Sequence, residues 1–186
     1  MSVTRHYVTD AGGAAWYGED ATVPGAKGCR EDNAYSAGQK TAVSDANDAT
    51  YVECTPAEYP AGHEYDIPIS EEGITQFDIL ARAGNAEYDD HNLYVYNFNT
   101  SAYVLLETQG GEEPFDLTGT LTTNLANYVS SGKMRLQVVS AGNASAVIRC
   151  YDVYVDVTYG AAAYVPYANL HQMAGGLSAL TGGLCR

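Results

Sequence analysis

Positive charge is scarce in this chain. Nine Lys and Arg stand against 23 Asp and Glu in 186 residues, a formal net charge of −14. A surface of that sign repels phosphate backbones and anionic headgroups, so neither nucleic acid nor a membrane surface is an expected partner. Long apolar runs are also lacking: no stretch approaches the roughly eighteen apolar residues of a membrane-spanning helix. Cysteine is sparse, and Cys29, Cys54, Cys150 and Cys185 form no C-x-x-C pair and have no His at ligand spacing, which argues against structural zinc. Met1 to Tyr7 lacks the apolar core of a secretory signal. Cytoplasmic synthesis with reduced thiols is therefore expected.

Catalytic motifs are missing as well. The doublets Glu71-Glu72, Asp89-Asp90 and Glu112-Glu113 are adjacent residues that point in different directions, whereas a glycosidase needs two carboxyls facing each other across a cleft. Gly176-Leu177-Ser178-Ala179-Leu180 fails the final Gly of a nucleophile elbow, and Gly25-Ala26-Lys27-Gly28 lacks phosphate-loop spacing. His6, His63, His91 and His171 are scattered along the chain, and Asp89-Asp90-His91 reads as a solvated turn before a strand. Asn99-Thr100-Ser101 and Asn143-Ala144-Ser145 match the glycosylation sequon but read as hairpin turns. The oxygen-bearing residues Asp45, Asn47 and Asp48 are spaced as a bound calcium could use them, without the rest of an EF-hand loop. No enzyme is expected.

What is present is tyrosine: sixteen, against three Phe and one Trp. Apolar in body and polar at its tip, Tyr suits a half-buried pleated surface. Strand signals follow. Thr75 to Arg82 sets Phe77, Ile79 and Ala81 on one face. Tyr65 to Ile69 alternates, with Pro68 confining it to an edge or a strand end. Met134 to Val139 follows a Gly132 turn. Val147 to Tyr159 places Tyr151, Val153, Val155, Val157 and Tyr159 on one face and Asp152, Tyr154, Asp156 and Thr158 on the other. Arg149 breaks that parity, so a bulge or a strand beginning is expected there. Seven or eight strands without intervening helical periods predict an all-β antiparallel sandwich of jelly-roll type.

Asn92 to Phe98 and Ala102 to Glu107, joined by Asn99-Thr100-Ser101, form the clearest hairpin. Tyr94, Tyr96 and Phe98 share one of its faces, Leu93 and Val95 the other. With both faces apolar, either the strand is central and buried on both sides or the aromatic side is a ligand platform.

Three segments result: an irregular Gly/Ala-rich arm over 1–43, with one short strand at Arg5 to Thr9, packed on the sandwich, the sandwich over 44–160, and a segment over 161–186 in which Arg186 is the only charged side chain. Tyr164, Tyr167, Leu170, Met173, Leu177, Leu180 and Leu184 make that last segment a candidate contact surface for its own sandwich or for a neighbouring subunit.

The acidic turn before Thr50-Tyr51-Val52, then Phe77-Asp78-Ile79, Leu93 to Thr100, Asn127-Tyr128-Val129 and Tyr151 to Val155, resembles jelly-roll domains of two kinds over roughly residues 44 to 159. One is the carbohydrate-binding and discoidin-like group; the other is the β-sandwich accessory proteins of tailed-phage virions, such as capsid decoration proteins. The resemblance implies a non-catalytic protein and carries over no ligand residue. With the uncharged segment and no export signal, the first expectation is a virion structural protein, made in the host cytoplasm and homo-oligomeric, that binds other virion or capsid subunits. The alternative expectation is a carbohydrate-binding module.

Overall fold

Alternation of apolar and polar residues makes Ile148–Tyr159 the organising strand of the molecule. The computed structural model describes residues 1–18, 33–45, 49–54, 61–84, 90–111, 113–141 and 147–160. In chain order its strands are β1 (Ser2–Tyr7), β2 (Ala14–Gly18), β3 (Asn33–Ala34), β4 (Val52–Cys54), β5 (Gly62–Pro68) and β6 (Ile74–Gly84). They continue as β7 (His91–Asn97), β8 (Ala102–Gln109), β9 (Phe115–Leu121), β10 (Val129–Ser130), β11 (Lys133–Ser140) and β12 (Ile148–Tyr159). A short helix α1 (Ala37–Ala42) starts at a capping box, where Ser36 Oγ accepts from Gln39 N and Gln39 Oε1 accepts from Ser36 N.

Two antiparallel sheets face each other, and the fold is an all-β sandwich of jelly-roll type. The smaller sheet runs β1-β12-β6-β9, with β4 pairing the start of β12 on the β1 side; the larger runs β3-β2-β5-β11-β7-β8, with β10 on β11. Phe77, Ile79, Ala81, Val153, Val155 and Val157 from the smaller sheet meet Tyr65, Ile67, Leu93, Val95, Leu136 and Val138 from the larger in one buried core. The edges close on one side because Gly119 of β9 has no side chain: a Cβ there would lie 2.6 Å from a Leu106 methyl of β8. Beside it, the Glu107 carboxylate of β8 accepts from the Thr118 backbone N–H on β9, which occupies a donor on that edge strand.

A polar chain threads the core. His63 Nε2 lies 3.2 Å from the Ile148 carbonyl oxygen, which can only accept, so Nε2 carries the proton. His63 Nδ1 then accepts from the Tyr35 hydroxyl at 2.6 Å, and Tyr35 accepts from the Tyr65 hydroxyl at 3.1 Å. The Cys150 thiol bonds Tyr65 in turn. Burial pushes the His63 pKa down to about 4 and raises the Tyr65 hydroxyl well above its ordinary value.

Some expectations need correction. Residues 1–43, read as an arm with one short strand at Arg5 to Thr9, give β1 to one sheet and β2 and β3 to the other; pairing, not periodicity, makes these short stretches into strands. His91, read as part of a solvated turn, is the fully buried first residue of β7, edge-on to Phe115. The expected bulge exists, between Cys150 and Asp152. It turns Tyr151 away from the valine cluster and against Tyr51, with its hydroxyl on Glu113. Cys54 and Cys150 are both buried.

The tyrosine face of the larger sheet as candidate functional site

Strand parity sends Leu93 and Val95 of β7 into the core and leaves Tyr94, Tyr96 and Phe98, half-buried, on the outer face of the larger sheet. The same parity on β11 puts Leu136 and Val138 inside and Arg135 and Gln137 outside; on β5, Tyr65 and Ile67 inside and Glu64 and Asp66 outside. Register then assembles a surface. Trp16, Glu64, Gln137, Tyr94 and Leu105 are successive cross-strand neighbours over β2, β5, β11, β7 and β8. In the adjoining row, Asp66 sits opposite Arg135, and Tyr96 opposite Tyr103.

The rings touch. Tyr96 packs edge-on against both Phe98 and Tyr103, each 5.0 Å between centroids, and Tyr94 meets Tyr103 at 6.4 Å. The Arg135 guanidinium lies over Tyr96 at 5.3 Å and Phe98 at 5.7 Å. Its Nε donates to Asp66 Oδ1 at 3.1 Å and lies 3.6 Å from Glu64 Oε1. The charge is thus held against the aromatics.

Tyr103 makes the longest reach. Its hydroxyl donates to Glu64 Oε2 at 2.8 Å. Between β8 and β5 stand β7 and β11, three strand spacings or about 14 Å of flat sheet. The two side chains close that span by lying along the face, with β7 and β11 beneath them as the floor of a shallow trough. Near its middle Gln137 is fully buried, and neither its Nε2 nor its Oε1 has a partner.

Other hollows are less equipped. A cleft of about 270 Å³ on the outer face of the smaller sheet contains Asp78 and Asp156. There Arg5 grips Asp156 through two 2.7 Å bonds, and Gln76 and Thr120 hold Asp78. An apolar cleft of about 350 Å³ at the end of the sandwich is bordered by Glu71, which bonds His6 at 2.8 Å. Among the described residues no three His, Cys, Asp or Glu side chains are grouped to hold a metal. Of the calcium candidates, Asp45 accepts from Thr50 Oγ1, while Asn47 and Asp48 lie outside the described residues. So do Tyr164, Tyr167, Leu170, Met173, Leu177, Leu180 and Leu184.

Of the sequence candidates, then, Tyr94, Tyr96 and Phe98 come together. Trp16, Glu64, Asp66, Tyr103, Arg135 and Gln137 were not anticipated. The available signal was a polar residue alternating with core residues, as in Glu64-Tyr65-Asp66-Ile67 and Leu136-Gln137-Val138.

Residues 14–159 match the family model AF_1625_C, described as "Uncharacterized protein, C-terminal domain". The chain belongs to this family. No curated protein matches the sequence. Among solved structures, the xylan-binding module CBM15 aligns with a TM-score of 0.48 and 14% identity, over 86% of this chain and 99% of that one. The CBM22-1 xylan-binding domain of Paenibacillus barcinonensis Xyn10C gives 0.45 and 10%, over 86% and 97%. A Ruminococcus gnavus GH29 fucosidase in complex with fucose gives 0.42 and 17%, over 84% of this chain, which spans only 27% of that protein.

Proposed function

We propose that this domain is a non-catalytic carbohydrate-binding module that takes a glycan on the tyrosine face of the larger sheet. The observation that carries the reading is the contiguous, half-exposed set Tyr94, Tyr96, Phe98 and Tyr103, interleaved with Glu64, Asp66, Arg135 and Gln137 in one trough. A sugar ring is apolar on its C–H faces and rimmed with hydroxyls. It stacks on aromatic rings while its hydroxyls meet carboxylate, amide and phenol groups. Catalytic chemistry is a poorer fit, since the carboxylates of the trough hold Arg135 and Tyr103 in place.

The virion reading drew on the absent export signal and on residues 161–186, which lie outside the described residues; the aromatic trough supports a glycan instead. Affinity electrophoresis against soluble xylan, mixed-linkage glucan and galactomannan, backed by a glycan array, tests it. Retardation on at least one polysaccharide, abolished by Tyr94→Ala with Tyr96→Ala, is the expected result. A silent array with no retardation on any of the three would remove the reading.

A further inference from the structure

We infer that Gln137 is the group that reads the ligand on this face, and that Tyr103, latched on Glu64, covers it until a glycan displaces the ring. The inference rests on the glycan reading and adds to it a recognition residue and a gate.

Gln137 is the anomaly of the trough. A carboxamide can make four hydrogen bonds, and buried polar groups are satisfied in the great majority of cases. Gln137 is fully buried and makes none. It cannot turn to the core, because Leu136 and Val138 occupy the inward positions of β11. Its cross-strand neighbours are Glu64 on one side and Tyr94 on the other. The amide therefore stands between a carboxylate and a ring, where a ligand hydroxyl could donate to Oε1 and accept from Nε2.

The cover is the bridge described above. From β8, the Tyr103 side chain passes over β7 in contact with Tyr94 and Tyr96, and its hydroxyl arrives at Glu64 on β5. That span crosses β11, the strand that bears Gln137. The Tyr103–Glu64 bond is one hydrogen bond reaching from the edge strand β8 to the interior strand β5, the kind of contact that a ligand offering its own hydroxyl to Glu64 can replace. Once Tyr103 swings away, its ring remains a stacking surface at the β8 edge. Glu64 and Gln137 are then both presented to hydroxyls, and the pair suits an uncharged glycan, since Asp66 and Glu64 would repel a uronate or sulfated chain at close range. Trp16, the only tryptophan in the chain, sits across from Glu64 and reports the opening.

Two variants test this against whichever of xylan, mixed-linkage glucan or galactomannan the wild type binds. Gln137→Met keeps length and volume and removes both polar atoms. It is expected to weaken binding by about tenfold or more, the worth of one or two good hydrogen bonds, while the melting temperature holds or rises. Tyr103→Phe removes the latch and keeps the ring; binding is expected to tighten by about three- to tenfold, with Trp16 emission in the free protein moving toward that of the bound wild type. Wild-type affinity in Gln137→Met, or a melting temperature lowered with binding intact, would overturn the assignment of Gln137. Unchanged or weaker binding in Tyr103→Phe would overturn the gate. If the wild type binds none of the three polysaccharides and the array is silent, it is the glycan reading that fails.

Discussion

The Tyr35 hydroxyl donates to His63 Nδ1 at 2.6 Å, and this bond fixes the direction of every other proton in the buried chain. Because Nε2 must donate to the Ile148 carbonyl, Tyr35 has only one orientation available. Tyr35→Phe leaves Nδ1 buried without a donor and Tyr65 without its acceptor. A loss of about 1–3 kcal/mol is expected, measured by urea denaturation at neutral pH. A loss well under about half a kcal/mol would mean that the chain contributes little.

The same histidine sets a pH dependence. Burial holds His63 near 4 in the folded state against 6.5 for an ordinary imidazole. The unfolded chain therefore binds a proton that the folded one does not, and His63 stabilises fully above about pH 6.5 and loses that contribution as pH falls toward 4. The swing is about 3 kcal/mol. Asp152 works the other way: desolvation raises its carboxyl from 3.8 to about 6, against the pull of Arg5 and Arg82, so it opposes folding above pH 6 and the penalty fades on acidification. The two partly cancel between pH 4 and 6. Asp152→Asn is therefore expected to raise the melting temperature at pH 7 and to steepen its fall between pH 6.5 and 4, as read by calorimetry across that range. A parallel pair of profiles would contradict the opposition.

Gly119 is a packing requirement. Adding a Cβ places it 2.6 Å from Leu106 Cδ1 and 3.0 Å from Leu106 Cβ. Gly119→Ala is expected to cost about 1–3 kcal/mol, and pairing it with Leu106→Ala should recover part of that loss in a double-mutant cycle. Simple additivity in the cycle would mean that the two residues do not meet.

On the trough, single alanine substitutions are expected to lower glycan affinity without unfolding the domain. Tyr96→Ala removes a ring that touches Phe98, Tyr103 and Arg135 together, so its effect should exceed that of Tyr94→Ala, which loses one ring contact. About 1–3 kcal/mol, or five- to hundredfold in affinity, is the scale for an aromatic anchor. Titration calorimetry with circular dichroism controls checks it, and equal effects at both positions would argue against Tyr96 as the centre.

The fold was legible where one rule governed a whole segment. Val153, Val155 and Val157 alternate with charged or hydroxyl-bearing neighbours, so β12 could be read directly, as could the hairpin whose turn holds Ser101 at positive φ. It was less legible where pairing partners supplied the order: a short strand was readable at Arg5 to Thr9, but Ser2–Tyr7 has little periodicity and takes its bounds from β12, which pairs it along six positions. The platform was half visible. Tyr94 and Tyr96 share a face by parity, but a phenol ring fits both a core and a wet surface, so alternation could not say which side met water. Gln137, Glu64 and Asp66 stayed hidden because the cross-strand register that assembles them joins residues about seventy positions apart in sequence.

Ser2 of β1 lies opposite Tyr159 of β12, at the edge of the smaller sheet. Entry to and exit from the sandwich thus occur at one corner, on the layer opposite the trough. A protein fused ahead of Ser2 is thereby attached at the back of the sandwich, on the layer away from Tyr94 and Tyr96.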